Sequence, residues 1–299
     1  MKAARLILIT VFALLVALPC WSSEQVRLKY VGTIYTDESG VQLKSPEGVT
    51  VTDNFIYVAD SGNQRILRYE LSDGRPVSET IFPVAKSYPL MVRPDSKGNM
   101  YVLDGKNRRI DLLSPEGAPR GSLDPKGLPD DGKVVPRSFA LGGDGTIYLL
   151  DIFSQRVLVL DGRGQFVRGI PFPPKHGFFS DVTVDRQGNV YLLDSVEAVV
   201  YRAFKGEEEF SALSESMKDL MNFPTSIAVD NSGRIYLLDQ YGSGLAVVSS
   251  DGSFLGHKLS MGWSDGMLYY PSQISIDQEG NVFIADRNNN RVQHFSVVD

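Results

Sequence analysis

Tyr57-Val58-Ala59-Asp60-Ser61-Gly62-Asn63-Gln64-Arg65 is a short apolar strand that closes on an aspartate and bends toward an arginine. The strand ending returns at Tyr101 to Asp104, Tyr148 to Asp151, Tyr191 to Asp194, Tyr236 to Asp239 and Phe283 to Asp286. The closing aspartates lie 44, 47, 43, 45 and 47 residues apart. A period of that size means one supersecondary unit copied around or along an axis.

Working outward, each unit opens on a proline or its stand-in and reaches a turn six residues later. Pro46 precedes Thr52, Pro89 Asp95, Pro136 Gly142, Phe179 Asp185, Pro224 Asp230 and Pro271 Asp277. Turns such as Asp95-Ser96-Lys97-Gly98 join an Asp, which bonds backbone N–H groups just ahead, to a Gly that accepts positive φ. The first hairpin is one residue tighter than the other five. Beyond each closing Asp lies a third strand, then a Gly turn and a fourth. Four short antiparallel strands per period suit a propeller blade. The last unit stops after its third strand, and an unmatched strand at 26–32 precedes the first unit. The expected fold is all-β, a six-bladed β-propeller of four-stranded antiparallel blades in which the N-terminal strand completes the last blade. One short helix is expected, at 210–220.

The units resemble the NHL repeat, whose pattern is Pro, an apolar strand, Asp-x-x-Gly, and an apolar strand ending in Asp with Asn and Arg just beyond. Asp60-Ser61-Gly62-Asn63-Gln64-Arg65 and Asp286-Arg287-Asn288-Asn289-Asn290-Arg291 are its best copies, with Asp104 to Arg109 close behind. The third unit has Ser154 for Asn but keeps Arg156. The fourth has Glu197 and Val199 in the Asn and Arg positions, and the fifth has Gly242 and Gly244. Residues needed in every blade serve structure, since a catalytic group is needed once or twice. Asp60, Arg65, Asp104, Arg109, Asp151, Arg156, Asp286 and Arg291 therefore read as turn latches, each Asp accepting backbone N–H groups and pairing with the Arg five residues on.

The N-terminus has Lys2 and Arg5, an uncharged apolar run at 6–18, then small residues around Ser22 and Ser23. This is the pattern of a secretory signal, so residues 1–23 are expected to be removed, leaving a propeller at 24–299. Lipid attachment at Cys20 is the rival, poorly served by Pro19 before it. Cleavage takes the net charge from -6 to -8 and removes the single cysteine. The expected location is periplasmic or secreted, with a membrane-tethered form as the alternative. An acidic exported chain excludes nucleic acid as a partner, including the RNA that some NHL propellers bind.

Long loops cluster at 125–133, 170–179, 207–223 and 261–270, on the face that also carries the closing aspartates. Their large side chains suit partner anchors, and the candidates are Tyr88, His176, Phe178, Phe179, Tyr241, Trp263, Tyr269 and Tyr270. The resemblance also raises metal chemistry: related amidating lyases hold zinc through three histidines, and calcium lactonases share the six-bladed form. Here His257 and His294 fall on outer strands, away from His176, and Glu47 and Asp181 are a thin calcium set. The chain is thus read as a monomeric, non-catalytic propeller without cofactor or metal, binding a protein, peptide or glycan in the cell envelope on its loop-rich face. The alternative is a calcium- or zinc-dependent lyase or hydrolase acting at the central channel.

Overall fold

The computed structural model describes residues 26–72, 75–130 and 132–298. The signal-sequence reading of 1–23, Cys20 and loop residue Asp131 lie outside the described residues. The strands form six four-stranded antiparallel sheets arranged as a ring. The first blade runs Pro46–Val51, Phe55–Asp60, Arg65–Ser72 and Arg75–Pro83, and the next four repeat that order. In the sixth, Gln273–Ile276, Val282–Asp286 and Arg291–Val298 are completed by the N-terminal strand Arg27–Ile34. The chain is therefore a closed six-bladed β-propeller, and closure removes two strand edges that would otherwise stand open.

The second strands explain why the sequence reads as unbroken apolar runs. In Ile147–Asp151 every residue is buried, because each blade is covered on both faces. Ile147 and Leu149 enter the cluster shared with the second blade, whereas Tyr148 and Leu150 enter the one shared with the fourth. Six such clusters occur, one at each blade boundary. The repeated tyrosines belong to them, and Tyr191 and Tyr236 donate their hydroxyls to Asp185 and Asp230 of their own hairpin turns.

Turn geometry follows the residues. In the second blade the Asp95 N–H reaches the Asn99 carbonyl, four residues on, and Gly98 has φ 79°. In the first, the Thr52 N–H reaches Phe55, three residues on. The expected helix at 210–220 is absent. Ser211–Ala212 is the fourth strand of its blade, only two residues long. The segment after it folds inward as an irregular turn, because Met217 and Met221 are drawn into the boundary between the fourth and fifth blades.

Candidate functional site

All six closing aspartates are buried and fasten two segments together. Asp60 Oδ1 accepts the Lys44 N–H at 2.7 Å, Asp104 Oδ1 that of Tyr88 at 3.1 Å, and Asp151 Oδ1 that of Val135 at 2.8 Å. Asp194, Asp239 and Asp286 treat Gly177, Asn222 and Tyr269 the same way. The Gly105, Ile152, Ser195 and Gln240 N–H groups return bonds to carbonyls just before the first strands. Loops entering a blade and loops after its closing Asp are thereby tied into one face.

The arginine half of the latch departs from expectation. Arg65 Nε donates to Asp60 at 2.6 Å and Arg291 Nε to Asp286 at 2.7 Å, both arginines buried. Arg109 instead pairs with Asp111 at 2.7 Å in an exposed position, and Arg156 with Asp130. Asn107 and Ser154 supply a side-chain donor to Asp104 and Asp151, as Asn63 and Asn289 do to Asp60 and Asp286. In the fourth blade the Val196 and Glu197 N–H groups serve Asp194. In the fifth, the Gly242 N–H serves Asp239, and a Cβ on Gly242 would lie 2.3 Å from Asp239 Oδ2. The aspartate has moved into the space that a side chain would need.

On the face so tied together, five aromatic rings form a continuous track. Phe223 stacks on Tyr241 at 5.2 Å, Tyr241 meets Tyr270 edge-on at 5.9 Å, Tyr270 meets Tyr269 at 5.1 Å, and Tyr269 meets Trp263 at 5.7 Å. Trp263 is 74% exposed and Tyr241 52%. The loop bearing Trp263 is pinned: Asp265 accepts Tyr30 Oη at 3.0 Å, the Tyr35 hydroxyl, and Arg291 Nη1 at 2.9 Å. Hydrogen bonding from Tyr35, more than the neighbouring Arg291 charge, holds the Asp265 carboxyl below its ordinary value.

The remaining candidates divide. Phe178 is exposed, with the Arg137 guanidinium 5.4 Å from its ring centre. Phe179 is fully buried in the core between the third and fourth blades, because it occupies the strand position that proline holds elsewhere; it is not a surface anchor. His176 stacks on Phe179 at 4.9 Å, and its Nδ1 lies 2.7 Å from the Pro173 carbonyl, so it covers that core. His257 lies on the fourth strand Phe254–Lys258, and His294 stacks on Phe283. Tyr88 donates to Glu47 Oε1 at 3.1 Å, with Arg287 Nη1 at 3.4 Å from the same oxygen. Burial first, then Glu47, raises the Tyr88 hydroxyl above its ordinary value.

The channel interior is knitted by polar side chains of the first strands. Asp181 accepts Ser226 Oγ at 2.8 Å, the Ile227 N–H at 3.0 Å and the Ser138 hydroxyl, so it joins three blades. Gln273 and Ser275 accept the Val49 and Val51 N–H groups. These bonds satisfy the inner edges of the sheets. Glu47 and Asp181 are engaged at different places, and no group of three metal-ligating side chains occurs among the described residues.

The large cavity lies where sequence reasoning did not look. A funnel of about 770 Å³ opens at the opposite mouth, on the face of the first-to-second-strand turns. Below it a chamber of about 280 Å³ shares Val51, Leu141, Val184, Val229 and Ile276 and reaches Arg93. Nothing in the repeat singles out Arg93, which pairs in register with Tyr101 as Ala140 does with Tyr148 and Ala228 with Tyr236.

A ring of Asp-fastened blades, a tied aromatic face and a funnel at the opposite mouth make up a six-bladed propeller. The NHL repeat family matches residues 43–69 and 268–295, in the two blades whose arginine latches are closed, and the chain is a six-bladed propeller that carries NHL repeats. It is similar to the E3 ubiquitin-protein ligase TRIM71 of Gallus gallus, 31% identical over 132 residues. It is also similar to peptidyl-glycine alpha-amidating monooxygenase A of Xenopus laevis, 28% identical over 170 residues. The first match spans 44% of this chain but 13% of that ligase, and the second 51% of this chain and 17% of that enzyme. Among solved structures, a streptogramin B lyase superposes with a TM-score of 0.61 at 13% identity, covering 91% of this chain and 98% of that one. A chain of a nidogen/laminin complex gives 0.61 at 18% identity, covering 78% and 86%. These likenesses establish the fold. Among the described residues no helix is long and apolar enough to cross a membrane.

Proposed function

We propose that this propeller is an exported, non-catalytic binding protein that engages a protein, peptide or glycan of the cell envelope on its loop-rich face. The observation that carries the reading is the track from Phe223 to Trp263, which ends in a tryptophan 74% exposed on a loop fastened by Asp265. A large aromatic side chain held rigid in water has already lost conformational freedom, so a partner gains its full apolar and stacking energy. Export is supported by the reading of residues 1–23. The nidogen/laminin complex shows a propeller of this fold in a protein assembly. The test is capture from a native envelope extract by purified protein and by Trp263→Ala and Tyr241→Ala. Both residues are exposed, so both variants are expected to fold. If these rings anchor the partner, each variant loses about 2 kcal/mol or more of affinity. Capture unchanged in both would remove the reading, and stoichiometric calcium or zinc in the purified protein would favour the lyase or hydrolase alternative.

A further inference from the structure

We propose that the turn-face funnel is a second ligand site, which takes a monocarboxylate with an apolar body, carboxylate first, onto Arg93. The site lies at the opposite mouth from the aromatic track and does not depend on it.

Arg93 sits on the inner strand Pro89–Pro94, walled in by the channel yet keeping part of its surface open to the chamber. Its Nη1 donates to Thr50 Oγ1 at 2.7 Å, and the Thr50 hydroxyl in turn donates a hydrogen bond to the Val92 carbonyl at 2.6 Å. Among the described residues no carboxylate lies within ion-pair distance of Arg93. Burial lowers its pKa from the ordinary value, and the more distant Asp181 charge works against that lowering. A guanidinium remains charged in any protein setting, so this is a cation with a planar donor fork, one arm of it on Thr50 and no carboxylate partner among the described residues. A walled-in charge of this kind favours an anion, and a carboxylate matches the fork.

The chamber selects the rest of the ligand. Beside Arg93 it offers Thr183, whose hydroxyl bonds no described residue, and beyond it the aliphatic walls Leu141, Val184, Val229 and Ile276. At about 280 Å³ it suits a short aliphatic or aromatic acid. The mouth selects against more highly charged anions. Among the described residues Asp53, Asp95, Asp185 and Asp277 line it with Arg186 as the one cation of the lining, and Asp230 beside them is paired with Arg234. Repulsion from such a rim grows with ligand charge, so a singly charged acid enters where citrate or phosphate is turned back.

The test is isothermal titration of the purified protein with hexanoate and benzoate, and with citrate and inorganic phosphate as controls. Saturable one-site binding of a monocarboxylate is expected. Arg93→Met should weaken it at least tenfold, Thr183→Val severalfold, and Arg93→Lys by an intermediate factor, with far-UV circular dichroism retained. Should Arg93→Met fail to fold, Arg93→Lys and Thr183→Val still decide. The proposal is overturned if neither acid saturates the protein at roughly 10 mM, if all the variants that fold bind as the parent does, or if citrate or phosphate binds more tightly.

Discussion

At the residue scale, the repeat separates what every blade requires from what only some use. The closing Asp is required, because its carboxylate replaces backbone partners that two converging segments would otherwise lack. The arginine is optional. It becomes buried only in the first and last blades, where a second carboxylate is within reach: Asp37 at 2.6 Å for Arg65 and Asp265 at 2.9 Å for Arg291. Burial raises the Asp286 carboxyl above its ordinary value, against hydrogen bonds from Tyr269, Asn289 and Arg291. Asp286→Ala would leave Arg291, 1% exposed, with its nearest counter-charge gone and the Tyr269 N–H unpaired. Breaking a buried pair from one side costs about 3–5 kcal/mol. A denaturant titration should show that loss, with hexanoate binding at Arg93 unchanged wherever the protein is folded. The aspartates were legible in sequence because they recur. The pairing of each arginine was not, since Arg65 and Arg109 stand in the same motif and differ only in what the preceding loop brings near. Equally hidden was the left-handed residue before every third strand: Gln64, Arg108, Gln155, Ala198, Ser243 and Asn290 have φ between 49° and 54°. Of these side chains only asparagine favours that conformation, so five of the six gave no signal.

At the element scale, the decisive strand is Arg27–Ile34. It was legible because an unmatched N-terminal strand and a missing C-terminal one complement each other. Its attachment was not, because the groups that hold it are scattered. The pairing with Arg291–Val298 has a bulge between Tyr30 and Gly32, and polar contacts fasten its middle and the chain just beyond its C-terminal end. Tyr30, Thr33 and Tyr35 all donate to Asp265, and Asp37 receives Arg65 beyond the strand. Burial works against the Asp37 charge, but hydrogen bonds from Ser39, Arg65 and the Val41 N–H bring its carboxyl down to about 2 from an ordinary 3.8. A carboxyl depressed in the folded state contributes stability that is fully present above its unfolded value and is lost as pH falls toward the folded one. The closure should therefore weaken between about pH 4 and pH 2, ahead of the blades that lack these contacts. Hydrogen exchange at 27–34 should accelerate in that window while exchange in Val190–Asp194 of the fourth blade stays slow. Asp265→Ala should give part of the same acceleration at neutral pH. Equal exchange in both strands would show that the closure is no weaker than the remainder.

At the scale of the molecule, the ring has two unlike mouths, and its loop-rich face is itself divided. Exposed apolar side chains occupy consecutive blades from the third to the sixth: Ile152, Phe153, Phe178, Val196, Leu220, Tyr241, Met261 and Trp263. The matching residues two after the closing Asp are Gly62 and Lys106 in the first two blades, and on the loop entering the first blade Tyr35 and Val41 are exposed as well. Exposed apolar residues on outer strands and turns, such as Val77, Val167 and Phe204, are separated from one another by blade and sequence. Single exposed residues need no explanation, but a contiguous arc on fastened loops marks an interaction surface. A stable protein partner buries about 800 Å² on each side, which an arc over four blades can supply and the aromatic track alone cannot. The footprint is therefore expected to cover the third to sixth blades, with Tyr35 and Val41 at its margin, and to leave the second blade in water. Phe153→Glu and Val196→Glu place a charge in the middle of that arc, on residues 47% and 51% exposed, so the fold is kept while a desolvated charge opposes docking. Each should lower partner capture at least tenfold, and Lys106→Glu, on the polar sector, should leave it within twofold. If Lys106→Glu is the damaging change and the other two are silent, the partner sits on the first two blades and the apolar arc serves another purpose. If only Trp263→Ala and Tyr241→Ala reduce capture, the ligand is small enough to lie along the track, and a glycan or short peptide is favoured over a folded protein.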